Sequence, residues 1–490
     1  MLGNCIGALV ATALAWGSMA IGCAHAEGAS ATSIQATNRD AVSEEDRIFA
    51  KIAEPWTSDF DGMLERGLLR VGVAYGPLFF VADGPKTSGM TVDLMNEFGK
   101  HLARKFGAMA RKLEIVLAPL ARDRLLPALE NGHVDLVVAN LTITPERLKH
   151  VDFSDPFVDD VSEVVVTGPG APRISSIDDL DGVEISVRAS SSYYEHLNAM
   201  SARREAAGQK PLKIVRADEN LEDEDLIELV HVGALEATVA DAYKADLFAQ
   251  IFEHVAVRHD LVVNKGGEIA WAMRKGSPQL AATVNDFVKV ARRGSSLGNI
   301  LIKRYFKDAD RIRNAMDPDG RSRFAAVIGL IRKYATAYDF DALMIAAQGY
   351  QESHLDQSKH SRAGAVGIMQ VLPSTASDPA IGIPHIEIAD RNVEAGVKML
   401  RLLRSTYVND PAINPVNQAL MAFAAYNAGP GNLQKARRRA VAMGLDDKVW
   451  FGNVELAMAK VVGNEPVVYV RNILKYYITY RLAEAHKAAK

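Results

Sequence analysis

From Leu68 onward, short apolar runs recur between polar breaks: LLRVGVAY, LEIVLAPL, VDLVVANLTI and EVVVTG. Longer stretches with helical spacing lie among them, GMTVDLMNEFGKHLARKFG and RDRLLPALENG. Strand-length runs alternating with helix-length ones predict an α/β sheet. The pattern restarts at GVEISVRA and continues through PLKIVRA and ALEATVADAYKADLF, which predicts two α/β lobes over residues 55–306. Beyond Tyr305 the strand texture stops. The charged, Gly/Pro-punctuated DADRIRNAMDPDGRSR predicts a linker at 307–323. From Phe324 to residue 490 the segments RFAAVIGLIRKYATAY, DALMIAAQGYQES, VEAGVKMLRLLRSTY, VNQALMAFAAYNAG and VVYVRNILKYYITYRLAEAH have helical length and period, predicting an all-α unit.

Residues 1–26 read as an export signal: an apolar run, CIGALVATALAWGSMAIG, then small residues in AHA ending at Ala26. AIGC at 20–23 also half-matches a lipoprotein box, in which Cys23 would be acylated. Residues 27–54 carry Ala, Ser, Thr and charge without apolar periodicity, the texture of a flexible tether. Both cysteines, Cys5 and Cys23, fall inside the leader, so a chain cut after Ala26 has no disulfide, thiolate metal site or cysteine nucleophile. With 56 Lys+Arg against 60 Asp+Glu, the charge balance gives no reason to expect a nucleic-acid partner. The cluster KARRRA at 435–440 reads as a solvated helix face. No metal or cofactor site is expected.

The stretch QESHLDQSKHSRAGAVGIMQVLPSTA contains one glutamate, Glu352. Asp341 is placed to cap the helix that leads to it, and Leu343, Ala346, Ala347 and Tyr350 keep apolar spacing along that helix. Gln348 and Gly349 lie one turn before Glu352 on the same face, where a glycine leaves room for a substrate beside the carboxylate. Asp356 reads as a solvated loop carboxylate. Tyr469 and Tyr476, seven apart in the last helix, share a face.

These motifs, followed by AFAAYNAGPGN and EPVVYVRNILKYY, resemble the SLT-type lytic transglycosylases with their goose-lysozyme-like fold. The resemblance implies that Glu352 is the catalytic acid/base and that Ser361 lies near the substrate acetamido group. It further implies substrate-binding roles for Met369, Gln370, Tyr426 and Asn427, and Tyr469 is expected to line the glycan groove. One carboxylate suffices in this family, because the N-acetyl group of the sugar stabilises the developing cation and the sugar's own C6 hydroxyl closes on C1, a substrate-assisted variant of glycoside cleavage. A glutamate doing this work needs its pKa raised toward about 6–7, which burial against Tyr426 and Met369 would supply.

Residues 68–160, LRVGVAYGPLFF through GMTVDL to HVDLVVANLTITPERLKHVDFSDPF, are similar to the amino-acid-binding solute-binding proteins of family 3. That similarity implies that Arg147 clamps a ligand's α-carboxylate, with Asn140 and Thr142 as accompanying hydrogen-bonding positions. Ser190 and Ser191 fall at a second-lobe helix N-terminus that also meets the carboxylate, where N–H groups favour anions. Asp241 corresponds to the acid that receives the α-ammonium, and Tyr75 to the ring against the ligand side chain.

The fold expected is thus a two-lobed α/β periplasmic-binding-protein-like domain followed by an all-α goose-lysozyme-like domain. The layout resembles the membrane-bound lytic murein transglycosylase F family. It implies a periplasmic enzyme of a Gram-negative cell, acting on peptidoglycan at the outer membrane, held there peripherally or by a lipid. An amino-acid or muropeptide ligand would occupy the N-terminal domain. A water-using muramidase and a non-catalytic periplasmic binding receptor are the two rival readings.

Overall fold

The computed structural model describes residues 54–76, 78–83, 86–306 and 320–488. The expected leader, most of the tether and residues 307–319 of the expected linker lie outside the described residues.

Eleven strands occupy the first half: β1 Leu68–Ala74, β2 Val81–Asp83, β3 Lys86–Ser88, β4 Glu114–Leu120, β5 Leu136–Thr142, β6 Val151–Phe153, β7 Val158–Thr167, β8 Glu184–Arg188, β9 Lys213–Ala217, β10 Ala237–Asp241 and β11 Ala256–Arg274. One sheet runs β4-β1-β5-β11-β7-β10-β8-β9 with β6 beside β11, while β2 and β3 form a separate ribbon. β1 lies parallel to β4 and β5, and β8 parallel to β9 and β10. These are the two expected lobes. β11 belongs to both, since its Ala256–Gly267 part runs along β7 and its Ile269–Arg274 part along β5 and β6.

Parallel strands covered on both faces read as unbroken apolar runs, and every residue of β1 is buried. The exception within that run, Arg70, is fully buried because Asp135 answers it. Arg70 Nη2 donates to Asp135 Oδ1 at 2.8 Å, and its Nε and backbone N donate to Oδ2 at 3.0 and 2.9 Å. The helices of the lobes include α1 Met90–Phe106 in the first, and α2 Ser192–Ala206 and α3 Asp223–His231 in the second.

The second half is helical. Its central helix, α4 Ala342–Ser353, buries every residue from Leu343 to Tyr350, so it is surrounded on all sides. α7 Glu465–Ala488 and the helix Gly320–Tyr338 pack against it, while α6 Pro415–Ala428 packs on α7 and α5 Ala389–Tyr407 on α6. Ala419 to Ala425 of α6 are likewise all buried, and the small side chains let helices approach closely.

α7 also meets the first half. Lys475 is buried with its Nζ 2.7 Å from Glu228 Oε2 on α3 and 3.9 Å from Asp225 Oδ1. Arg471 lies 4.8 Å over the Tyr75 ring, and the Tyr75 hydroxyl donates to Asn464, the residue before α7.

Candidate active site

Asp341 caps α4 as its position implies, accepting from Leu343 N at 2.8 Å and Met344 N at 3.4 Å. The helix presents Glu352 in its last turn and then stops sharply. His354 and Leu355 follow with φ of 60° and 61°. Left-handed backbone is uncommon for side-chain-bearing residues, and Gln370 likewise has φ 44°. Strain of this kind gathers where surrounding structure must fix a functional group. Ser353 helps to fix it: its Oγ donates to the Ile368 carbonyl at 2.9 Å and accepts from Asp356 N at 3.1 Å.

The Tyr469 hydroxyl donates to Glu352 Oε1 at 2.5 Å and accepts from Gln348 Nε2 at 3.1 Å. Burial pushes the Glu352 carboxyl up to about 7, against the opposing pull of the Tyr469 hydrogen bond and the Lys359 ammonium. Burial, reinforced by the neighbouring Glu352, holds Tyr469 and Tyr426 well above the usual phenol range, so both remain hydroxyl donors. With Oε1 engaged as an acceptor, the transferable proton belongs on Oε2. The group is therefore an acid near neutral pH that can also become a base, the pairing that general acid–base catalysis requires. Asp356 contributes nothing to this elevation. Its carboxylate accepts from Ser358 N at 2.9 Å and Ser358 Oγ at 2.7 Å, and these bonds hold it low.

The loop Gly367–Val371 packs beside the end of α4. Tyr426 donates to the Met369 carbonyl at 2.7 Å. Asn392, fully buried on α5, accepts from Met369 N at 2.8 Å and donates to the Val366 and Ile386 carbonyls at 2.7 and 3.0 Å. One turn on, a β-carbon at Gly396 would stand 2.6 Å from Met369 Cβ. Asn392 and Gly396 were not anticipated from the sequence. A buried asparagine and a glycine one turn apart on the apolar face of a helix were the signal available.

Other expected roles shift. The space beside Gly349 is filled by Leu355 and Ile368, whose atoms lie 3.0 and 3.1 Å from where its β-carbon would be, so this glycine admits core packing and not a substrate. The Met369 side chain is fully buried, and its main-chain carbonyl is what it gives to the site. Tyr469, expected along the groove, is buried and bonded to the acid. Gln370 Nε2 donates to the Gly367 and Lys359 carbonyls at 2.8 and 3.1 Å, bracing the loop. Ser361 Oγ accepts from Ala365 N at 2.9 Å in the adjoining turn. Asn427 Nδ2 donates to Glu465 Oε1 at 3.5 Å, tying α6 to the start of α7.

In the interlobe cleft the structure brings together all but one of the expected residues. Arg147 Nη1 donates to the Thr142 carbonyl and Nη2 to the Ser190 carbonyl, both at 2.9 Å. Asn140 Nδ2 donates to Asp241 Oδ2 at 3.2 Å, and Ser191 caps α2 by accepting from Tyr194 N at 3.2 Å. Tyr75 is the exception, turned to α7 as described. Three charged residues that the sequence reading did not single out also lie here: Glu195, Glu219 and Lys244.

Residues 69–308 match the bacterial extracellular solute-binding proteins, family 3, and residues 329–447 match the transglycosylase SLT domain. Fold and site thus define a two-module protein, a solute-binding-like α/β unit joined to an SLT transglycosylase unit. Over most of its length the chain is similar to curated proteins named membrane-bound lytic murein transglycosylase F. A relative of that name from Desulfosudis oleivorans is 28% identical over 408 residues, covering 79% of this chain and 84% of its own. One from Shewanella woodyi is 27% identical over 441 residues, covering 85% of each. Among solved structures, an ancestral arginine-binding protein bound to arginine is 27% identical with a TM-score of 0.39, spanning 49% of this chain and 99% of that one.

Proposed function

We propose that the protein is a lytic transglycosylase that cleaves the β-1,4 bond between MurNAc and GlcNAc in peptidoglycan and leaves a 1,6-anhydro-MurNAc end. The observation that carries this reading is the single carboxyl group of Glu352, buried, raised to about 7 and bonded to Tyr469. Protonated Glu352 gives its proton to the glycosidic oxygen as the C1–O bond breaks. The N-acetyl carbonyl of the substrate supports the positive charge at C1. Ionised Glu352 then takes the C6 hydroxyl proton, and O6 bonds to C1. The proton returns to the residue that gave it, and water takes no part. The engagement of Asp356 with Ser358 supports a mechanism without a second protein acid.

The place of action in this reading is the periplasm, at the outer membrane. Among the described residues, no helix is long and apolar enough to cross a membrane. The N-terminal module acts as the sensor of a cell-wall peptide or amino acid. The contacts of α7 support a coupling, since the helix that carries Tyr469 also carries Arg471 and Lys475, which touch both lobes. A ligand shifts activity only if it binds two arrangements of the modules unequally.

The test is digestion of purified peptidoglycan by the wild type and by Glu352→Gln, with products read by mass spectrometry. Anhydro-muropeptides from the wild type alone support the proposal. Reducing-end products would mean that water is the nucleophile, and no product would leave a binding protein.

A further inference from the structure

The cleft already contains carboxylates of its own at the positions where a ligand carboxylate is expected. Arg147 Nε lies 3.1 Å from Glu195 Oε1, one turn into α2, while its two Nη atoms hold the Thr142 and Ser190 carbonyls. Ser190 is occupied in the same way. Its N donates to Glu219 Oε1 at 3.1 Å and its Oγ to Glu219 Oε2 at 2.5 Å. A guanidinium and a paired N–H/O–H are each suited to a carboxylate, and each has one supplied by the chain.

The opposite end of the cleft differs. Asp241 Oδ2 accepts from Asn140 and from the Tyr243 hydroxyl, at 3.2 and 3.1 Å, and faces Lys244 Nζ at 3.1 Å. Lys244 is shared with Asp223 at 2.8 Å. Asp241 Oδ1, however, is buried without a hydrogen-bond partner among the described residues. A buried carboxylate oxygen left so is costly, and an N–H donor from a ligand would relieve it.

We infer that Glu195 and Glu219 are tethered occupants of the carboxylate subsite, and that the cleft selects ligands presenting a primary ammonium without an adjacent free carboxylate. The amino end of a peptide or an amino-acid amide fits that description, and a free α-amino acid does not. A free acid must displace two carboxylates or share Arg147 and Ser190 with them, and like charges so close repel. The inference rests on the reading of the cleft as a ligand site, and it names the chemistry that site accepts.

The experiment is isothermal titration of the full chain with L-alanine, L-leucine and L-lysine, each beside its carboxyl amide. The wild type is expected to bind at least one amide tenfold or more tightly than its acid. Glu195→Gln combined with Glu219→Gln, isosteric and charge-neutral, is expected to raise affinity for the acid at least tenfold and so reverse the order. Wild-type binding of acids as tight as amides, or an acid-to-amide ratio unmoved in the double variant, overturns the inference and leaves the ligand-site reading standing. If neither class binds either protein, both fall together.

Discussion

Tyr469 holds Glu352 at 2.5 Å from a helix separated from it by over a hundred residues of chain, and Gln348 holds Tyr469 in turn. The acid is thus poised by two opposing influences, burial that favours its protonated form and a hydroxyl that favours its ionised one. Tyr469→Phe removes the second. The Glu352 carboxyl then stays protonated to higher pH, so the alkaline limb of kcat/KM moves upward from about 7. A lost hydrogen bond to a charged group amounts to about 1.5–3 kcal/mol, or about one to two pH units. Turbidity clearance of peptidoglycan from pH 5 to 9 reads this directly. An unmoved limb would show that the hydroxyl does not set the acid's pKa.

Glu352→Gln should abolish turnover, by about two to four orders of magnitude for loss of a general acid. It should also stabilise the fold at alkaline pH. A carboxyl raised from 4.5 to about 7 on folding binds more protons folded than unfolded across that window, so stability falls as pH rises through it. The glutamine has no such dependence. Its advantage should reach about 1–3 kcal/mol at pH 8 and vanish below about pH 4.5. Urea melts of both proteins at pH 4.5 and 8 check the sign, and a variant less stable at pH 8 would contradict it.

Gly396→Ala tests the loop Gly367–Val371 from behind. Its methyl would enter the space of the Met369 side chain, 2.6 Å from Cβ. Overpacking of this kind costs about 1–3 kcal/mol. The loop that bears the Met369 carbonyl should shift with it, lowering kcat about tenfold while the circular dichroism spectrum stays native. Full activity would separate that loop from catalysis.

Lys475→Met leaves Glu228 buried without its ammonium partner. Breaking a buried pair typically removes about 3–5 kcal/mol, seen here as a lower urea midpoint. Adding Glu228→Gln should restore most of the loss. If the double variant is as unstable as the single, the pair is not what joins α7 to the second lobe.

What could be read in advance was what the chain writes locally. Two lobes and a helical unit follow from hydrophobic period, and the Glu352, Gln370 and Tyr426 motifs are short enough to be recognised as strings. The cap at Asp341 was legible for the same reason. Pairings made across the fold were not. Asn392 reads as one polar residue in an amphipathic helix until Met369 is placed against it, and Glu195 as a surface acid until Arg147 is. Gly349 shows the converse error: a small residue beside a functional one suggests room for a substrate, yet Ile368 and Leu355 fill that room. Tyr469 was expected at the groove because aromatic rings suit sugars, whereas the hydroxyl decided its place.

The position of α7 in the chain has a consequence for when the enzyme becomes armed. The helix emerges from the ribosome, and would cross any export channel, after both lobes and after Glu352 itself. Domains form in the order in which they appear, so a nascent chain can possess its acid long before it possesses the tyrosine that tunes it or the lysine that seats it on the second lobe. An incomplete copy, stalled or clipped before Tyr469, consequently lacks the hydroxyl that tunes its acid.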